Sequence, residues 1–196
     1  MKYEIVREWR KSIRIFVRDQ KVIVKAPHLV SKSVIDTFVK RHSTSLEKLL
    51  SPLESFLYLG KNIQIVPCKK GWHFEDEEFH SDEKRRENVE AFLKMEARAY
   101  ILPRVRELAE RFGDRYEKIR ITSAKSRWGS CNSKGNLNFT WRLMRASPDL
   151  IDYVIIHELC HLTHMNHSKA FWNMVRSRLP EYEEMEKGLK ELSILF

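Results

Sequence analysis

The pentapeptide His157-Glu158-Leu159-Cys160-His161, with His167 six residues further on, collects residue types that hold and use a metal ion. On a helix, positions i and i+4 lie one turn apart on the same face, so two imidazoles so spaced can grip one Zn²⁺. The glutamate next to the first histidine can take a proton from water activated there, which is the chemistry of a metallohydrolase. The alternative is a pair of hydrogen-bonded core histidines. Context favours the metal. The preceding run, Asp149 to Ile156, is apolar enough for a buried helix, and Ser147-Pro148-Asp149 supplies a cap and a first-turn proline. A buried helix has few other uses for two imidazoles and a carboxylate.

A catalytic Zn²⁺ takes three protein ligands and keeps one open position. His167 lies ten residues after His157, the spacing of the long zinc-protease motif H-E-x-x-H-x-x-G-x-x-H, and is the favoured third ligand, with one Zn²⁺ per chain. That motif's glycine position is His164 here, so the chain must leave the helix differently. Asn166 could supply a left-handed or capping residue, and Ser168 could cap a helix starting near Lys169. His164 is a rival ligand, although at i+3 from His161 it would still be helical and could be only a supporting or surface group. Glu181, Glu183 and Glu184 are the other rivals.

The 196 residues allow one full domain, or one with a small extension, and 42% hydrophobic residues suffice for a core. No apolar run approaches membrane-spanning length, and the N-terminus lacks the apolar stretch of a signal peptide. Three cysteines, Cys68, Cys131 and Cys160, without C-x-x-C spacing, fit a reduced, cytoplasmic chain. Cys160, inside the motif, reads as a small core residue pointing away from the histidines. The net charge of +9 is uneven: residues 1–50 carry 12 Lys/Arg against 5 Asp/Glu, and residues 101–150 carry 11 against 5. A basic N-terminal region could bind nucleic acid weakly, or simply keep the surface soluble.

Alternation over residues 12–18 and 21–25 around Asp19-Gln20 predicts a β-hairpin, followed by a helix opening at Ser31 or Ser33 and running to about Leu50, with Val34, Ile35, Phe38 and Val39 on one side. A second hairpin spans residues 56–66 around Gly60-Lys61-Asn62, and residues 69–82 read as a further strand or a loop. Residues 82–112 are helical in pattern, with Pro103 expected to kink or split the helix and Gly113 to end it. Residues 118–122 and 136–143 read as strands flanking the polar loop 125–135. The pattern predicts an α+β fold, with an N-terminal β-hairpin and helix region at 1–80 and a catalytic domain at 81–196.

Arg127-Trp128-Gly129-Ser130-Cys131, Gly135, Asn138, Tyr153 to Leu162 and Asn166 to Trp172 together resemble the YgjP-like family of metal-dependent hydrolases, which is related to the WLM and SprT-like zinc metallopeptidases. The resemblance runs nearly full length, and its most specific parts are R-W-G-S-C and the H-E-L-x-H…N-H-S-x-x-F-W stretch. It implies a zincin-like metallopeptidase domain with a small antiparallel sheet packed on the active-site helix. It further implies His157, His161 and His167 as ligands and Glu158 as catalytic acid/base. The family also carries a nucleotide pyrophosphatase label.

For a peptidase, Glu158 would take a proton from water and return it to the leaving amine. Arg127, Tyr153, His164 or a loop amide could stabilise the oxyanion. Arg127, Trp128 and Asn138 are candidate substrate-binding residues, and the strand ending near Asn138 could pair with an extended peptide or protein substrate. Arg127 and Trp128 could equally bridge loop carbonyls and fill core. For a nucleoside triphosphate pyrophosphatase, Lys125, Arg127 and Arg142 would hold phosphates. A three-histidine site suits Zn²⁺ and peptide hydrolysis better than the Mg²⁺ chemistry of phosphoryl transfer. A nucleic-acid-associated protease or binding module is the third possibility, and the intact Glu158 argues against a dead site.

Overall fold

The computed structural model describes residues 2–18, 21–43, 46 and 53–193, which form two compact units, 1–53 and 54–196. The first holds a three-stranded sheet, β1 (Tyr3–Glu8), β2 (Arg14–Arg18) and β3 (Lys21–Pro27), with β3 central, parallel to β1 and antiparallel to β2. The β2–β3 hairpin is the expected one, whereas β1 was not anticipated. Val22, Val24 and Ala26 alternate onto one face of β3 and share a buried cluster with Ile35 and Val39 of α1 (Lys32–Arg41). Ser31 caps α1, its Oγ accepting from the Val34 N–H. The buried stripe of α1 is Ile35 and Val39; Val34 is exposed instead. The proposed extension of this helix toward Leu50 falls largely outside the described residues.

The second unit begins earlier than residue 81. Its strands β4 (Ser55–Tyr58) and β5 (Lys61–Pro67) form the second hairpin, turned by Leu59 and Gly60 at φ +49° and +78°, one residue before the expected turn. β6 (Trp72–Glu75) and β7 (Glu78–Ser81) make residues 69–82 a further hairpin, and the sheet order is β4-β5-β7-β6. The Leu59 N–H donates to the Met144 carbonyl, and the Tyr58 hydroxyl to Glu96, which attaches residues 54–80 to the C-terminal part of the chain. Helix α2 (Arg85–Phe112) is continuous through Pro103, with Val89, Phe92, Leu93, Ala97, Ile101, Val105, Leu108 and Ala109 buried at helical spacing. Gly113 ends it in the left-handed conformation.

The site rests on a second sheet and three helices. β8 (Lys118–Thr122), β9 (Gly129–Cys131) and β10 (Asn136–Thr140) pair in the order β8-β10-β9. The sheet is mixed rather than wholly antiparallel, because the loop after β8 crosses to the far side of β10 and returns as β9: β10 is parallel to β8 and antiparallel to β9. A 3₁₀ turn at Trp141–Arg145 takes over where β10 was expected to continue. It leads into α3 (Pro148–Cys160), then α4 (Lys169–Arg178) and α5 (Tyr182–Ser193). The α+β class is as expected. Among the described residues no helix is long and apolar enough to cross a membrane.

Candidate metal centre and active site

Helix α3 buries Ile151, Tyr153, Val154, Ile155, Ile156 and Leu159, so it sits in the core and carries the histidine motif inward. Ser147 occupies its N-cap position without a side-chain cap hydrogen bond, and Pro148 begins it as the sequence suggests. His157 Nε2 lies 3.2 Å from His161 Nε2 and 3.0 Å from His167 Nε2. Donors about 2.05 Å from a tetrahedral Zn²⁺ stand about 3.3 Å apart, so three ring nitrogens converging this closely match one zinc ion. They are the one such metal-holding group among the described residues. Glu181, Glu183 and Glu184 are not part of it, and Glu183 instead accepts from Arg176 at 2.8 Å.

Burial drives the His157 imidazole down to about pKa 3, helped by His161 and His167, and burial lowers His161 as well. Both are therefore neutral near pH 7, the form that binds metal. His161 Nδ1 lies 2.9 Å from the His164 carbonyl; with that nitrogen donating, Nε2 is left as the lone-pair nitrogen facing the other histidines. His164 has already left the helix, which ends at the His161 cap, so it supports the site through its backbone. The exit is made by tight turns, the Thr163 and His164 N–H groups both donating to the Cys160 carbonyl. Asn166 takes no left-handed conformation. Ser168 caps α4 as expected, accepting from the Phe171 N–H at 3.4 Å, and His167 directly precedes that cap. Phe171 packs against all three histidines, and Trp172 stacks on His167.

Glu158, one residue beyond the first histidine of the cluster, is only 7% exposed. Burial pushes its carboxyl up to about 7, against the lowering pull of Arg127 and of the Cys131 N–H that donates to it. β9 packs directly on this side chain. A Cβ at Gly129 would stand 2.7 Å from both Cγ and Oε1 of Glu158, so only glycine fits there. The glycine of R-W-G-S-C is thus a packing requirement of the glutamate, a contact between positions 29 apart that no local pattern announces. Burial also raises the Cys131 and Cys160 thiols to about 11, leaving them protonated near pH 7.

A cleft of about 270 Å³ opens at the site, lined by Trp128 and Gly129, by Tyr153, Val154, His157 and Glu158 of α3, and by Glu186, Leu189 and Lys190 of α5. The α5 wall was not foreseen. Of the three candidate substrate-binding residues, only Trp128 lines this cleft. Arg127 and Asn138 line a neighbouring one of about 180 Å³ that shares Trp128 and Gly129. Asn138 donates to Ser130 Oγ at 3.3 Å across the β9–β10 pair. β10 cannot pair with a substrate as supposed, since β8 and β9 occupy both its edges; β9 is the outer strand on the Glu158 side. Arg142, a candidate phosphate ligand, donates to the Ser123 and Ala124 carbonyls and lies over the Trp141 ring.

Among solved structures, the chain is similar to the metallopeptidase zymogen abylysin of Pyrococcus abyssi (21% identity over 45% of this chain and 90% of that one, TM-score 0.41). It is likewise similar to the zymogen jannalysin of Methanocaldococcus jannaschii (25% identity, 49% and 97%, TM-score 0.42). No curated protein matches. The YgjP-like metallopeptidase domain matches residues 11–192, which include the histidines, Glu158 and the Trp128–Gly129 loop; the chain belongs to the YgjP-like family and is a metal-dependent hydrolase of the metallopeptidase type.

Proposed function

We propose that the chain is a zincin-like, cytoplasmic peptidase in which His157, His161 and His167 hold one Zn²⁺ and Glu158 is the general base, sharing this design with WLM and SprT-like peptidases. The observation that carries the proposal is the convergence of three histidine ring nitrogens within 4.8 Å beside a buried carboxylate. Zn²⁺ so held supplies Lewis acidity, acidifying water and polarising a carbonyl. Glu158 accepts the proton of the attacking water and hands it to the leaving amine. Trp128 bounds the cleft, while Arg127 and Asn138 bind substrate in the neighbouring cleft. The free edge of β9 can align an extended peptide by backbone pairing beside Glu158. Three free cysteines suit the reducing cytoplasm.

The test compares an unfolded protein with nucleoside triphosphates as substrates, with Zn²⁺ or Mg²⁺. Glu158-dependent proteolysis is expected, at one Zn²⁺ per chain. His157→Ala, His161→Ala or His167→Ala should strip the metal, and His164→Ala should not, because the carbonyl of His164 survives the change. Pyrophosphate release without proteolysis would instead favour the nucleotide reading, which has already lost Arg142 to loop carbonyls.

A second role is suggested by the N-terminal unit, whose excess of seven positive charges accompanies an almost fully exposed Trp9. It binds nucleic acid weakly and without sequence preference. Fluorescence anisotropy with single- and double-stranded DNA should show binding at low salt that falls steeply toward physiological salt; no binding at low salt would remove this role.

A further inference from the structure

We propose that the cleft beside His157 and Glu158 is a subsite for one large apolar side chain of the peptide substrate, with Leu189 of the C-terminal helix as its specificity-determining wall. This rests on the peptidase reading and adds which bonds are taken.

Tyr153 and Val154 precede His157 and Glu158 by one helical turn, so they share the face that carries the chemistry. Both are buried, at 3% and 4% exposure, and both line the cleft. The surface next to the ligand nitrogens is therefore aromatic and aliphatic. Trp128 adds a second aromatic wall and Leu189 closes the cleft from α5. About 270 Å³ falls below the range of roughly 300–1,000 Å³ usual for drug-sized ligands and suits a single side chain.

The charges around the cleft do not favour a charged guest. Apart from Glu158, the carboxylate and ammonium lining it are Glu186 and the exposed Lys190, which pair with each other at 2.8 Å one turn apart on α5. An entering carboxylate would lose water and find no uncommitted positive side chain, and an entering ammonium would find only Glu158, the proposed general base, whereas an apolar side chain gains by leaving water.

The Leu189 wall is held in place. Trp172 stacks on His167 at 5.6 Å and on Tyr182, the first residue of α5, at 5.4 Å, so two ring contacts link a ligand histidine to the start of the helix. Next to Leu189, Gly188 lets α5 close on α3: a Cβ there would meet Leu150 Cδ2 at 3.3 Å.

The test is calorimetric binding of dipeptide hydroxamates to the zinc-loaded enzyme, which requires no turnover. Four compounds differ only in one side chain, Leu, Phe, Asp or Lys. The Leu and Phe compounds should bind at least about tenfold tighter than the other two. Leu189→Ala should lose about threefold or more of that preference, and Leu189→Glu should abolish it, with zinc content and thermal unfolding as controls for folding. Equal affinities across the four, or a preference unmoved in both variants, would overturn the subsite. Mass spectrometry of a digested unfolded protein separates this from the underlying reading. Apolar-selective hydroxamate binding without any cleavage keeps the subsite and discards the peptidase. Cleavage with no side-chain preference does the reverse.

Discussion

Two carboxylates in the second unit are nearly sealed from water, and they have opposite fates. Asp114, just past the end of α2, has an 8% exposed side chain and accepts two hydrogen bonds from Arg178 of α4, at 2.6 and 2.9 Å. Glu158 is as deeply buried, yet receives the Cys131 N–H and only the field of Arg127, and burial raises its carboxyl to about 7. A guanidinium fork satisfies both oxygens of a carboxylate and fixes it in place. One that pays desolvation without a paired ion stays able to take and release a proton. Burial of an acid thus identifies a working site only when its partner is missing, and that distinction can be tested from both sides.

The largest effect should come from Glu158→Gln. The amide keeps the size and can keep the contact to β9 but cannot take the proton, so turnover should fall by about 10²–10⁴ while bound zinc stays near one per chain. Metal analysis beside peptide hydrolysis reads both. Full turnover in that variant would place the base elsewhere.

Asp114→Ala should act on the fold instead. It leaves the Arg178 guanidinium, 10% exposed, without its counter-ion, and a broken buried pair costs about 3–5 kcal/mol. Urea unfolding should show that loss, and zinc binding by the folded fraction should be unchanged. If the double change Asp114→Ala with Arg178→Met recovers much of the stability, the cost lies in the stranded charge and not in the lost packing.

Gly129→Ala probes the contact between strand and base. The added methyl would stand 2.7 Å from Glu158 Cγ as well as Oε1, so the whole carboxylate has to move rather than only its tip. Overpacking of this kind costs about 1–3 kcal/mol, and here the displaced atoms are those of the proposed general base. Activity should fall more than stability does, with zinc retained. A variant as active as the parent would mean that β9 yields instead of Glu158.

What the sequence disclosed follows from how local each feature is. The histidine spacing, the Ser147 and Ser168 caps, Gly113 and the β2–β3 hairpin are set within a few residues and could be read directly. That His167 joins the His157–His161 pair was legible because it belongs to the same helix–turn–helix segment. The Gly129–Glu158 contact, the Asp114–Arg178 pair 64 residues apart, the α5 wall and the parallel β8–β10 pairing are long-range, and no period or motif encodes them. Residues 54–80 read as N-terminal because a hairpin's sequence fixes its own turn and not the helix it packs on. Arg127 and Trp128 lie in the polar loop and Asn138 on the strand after it; Trp128 borders both clefts, whereas Arg127 and Asn138 line only the smaller one.

The smallest effect expected is that of Ser168→Ala, and it bears on the least buried of the three clustered histidines. His167 is exposed and comes from a turn, whereas His157 and His161 are fixed by α3. What holds His167 is its position immediately before the α4 cap, where Ser168 Oγ accepts from the Phe171 N–H, together with the stacking of Trp172 on its ring. Losing a serine cap costs about 1 kcal/mol. The ring contacts persist, so the turn should loosen without leaving the metal. Unfolding should register that small loss in the apo protein. Competition with a zinc chelator should show a Zn²⁺ affinity reduced by no more than about tenfold, far short of His167→Ala. If Ser168→Ala released zinc as readily as His167→Ala, the exposed ligand would owe its position to the cap alone, and the aromatic packing around it would count for little.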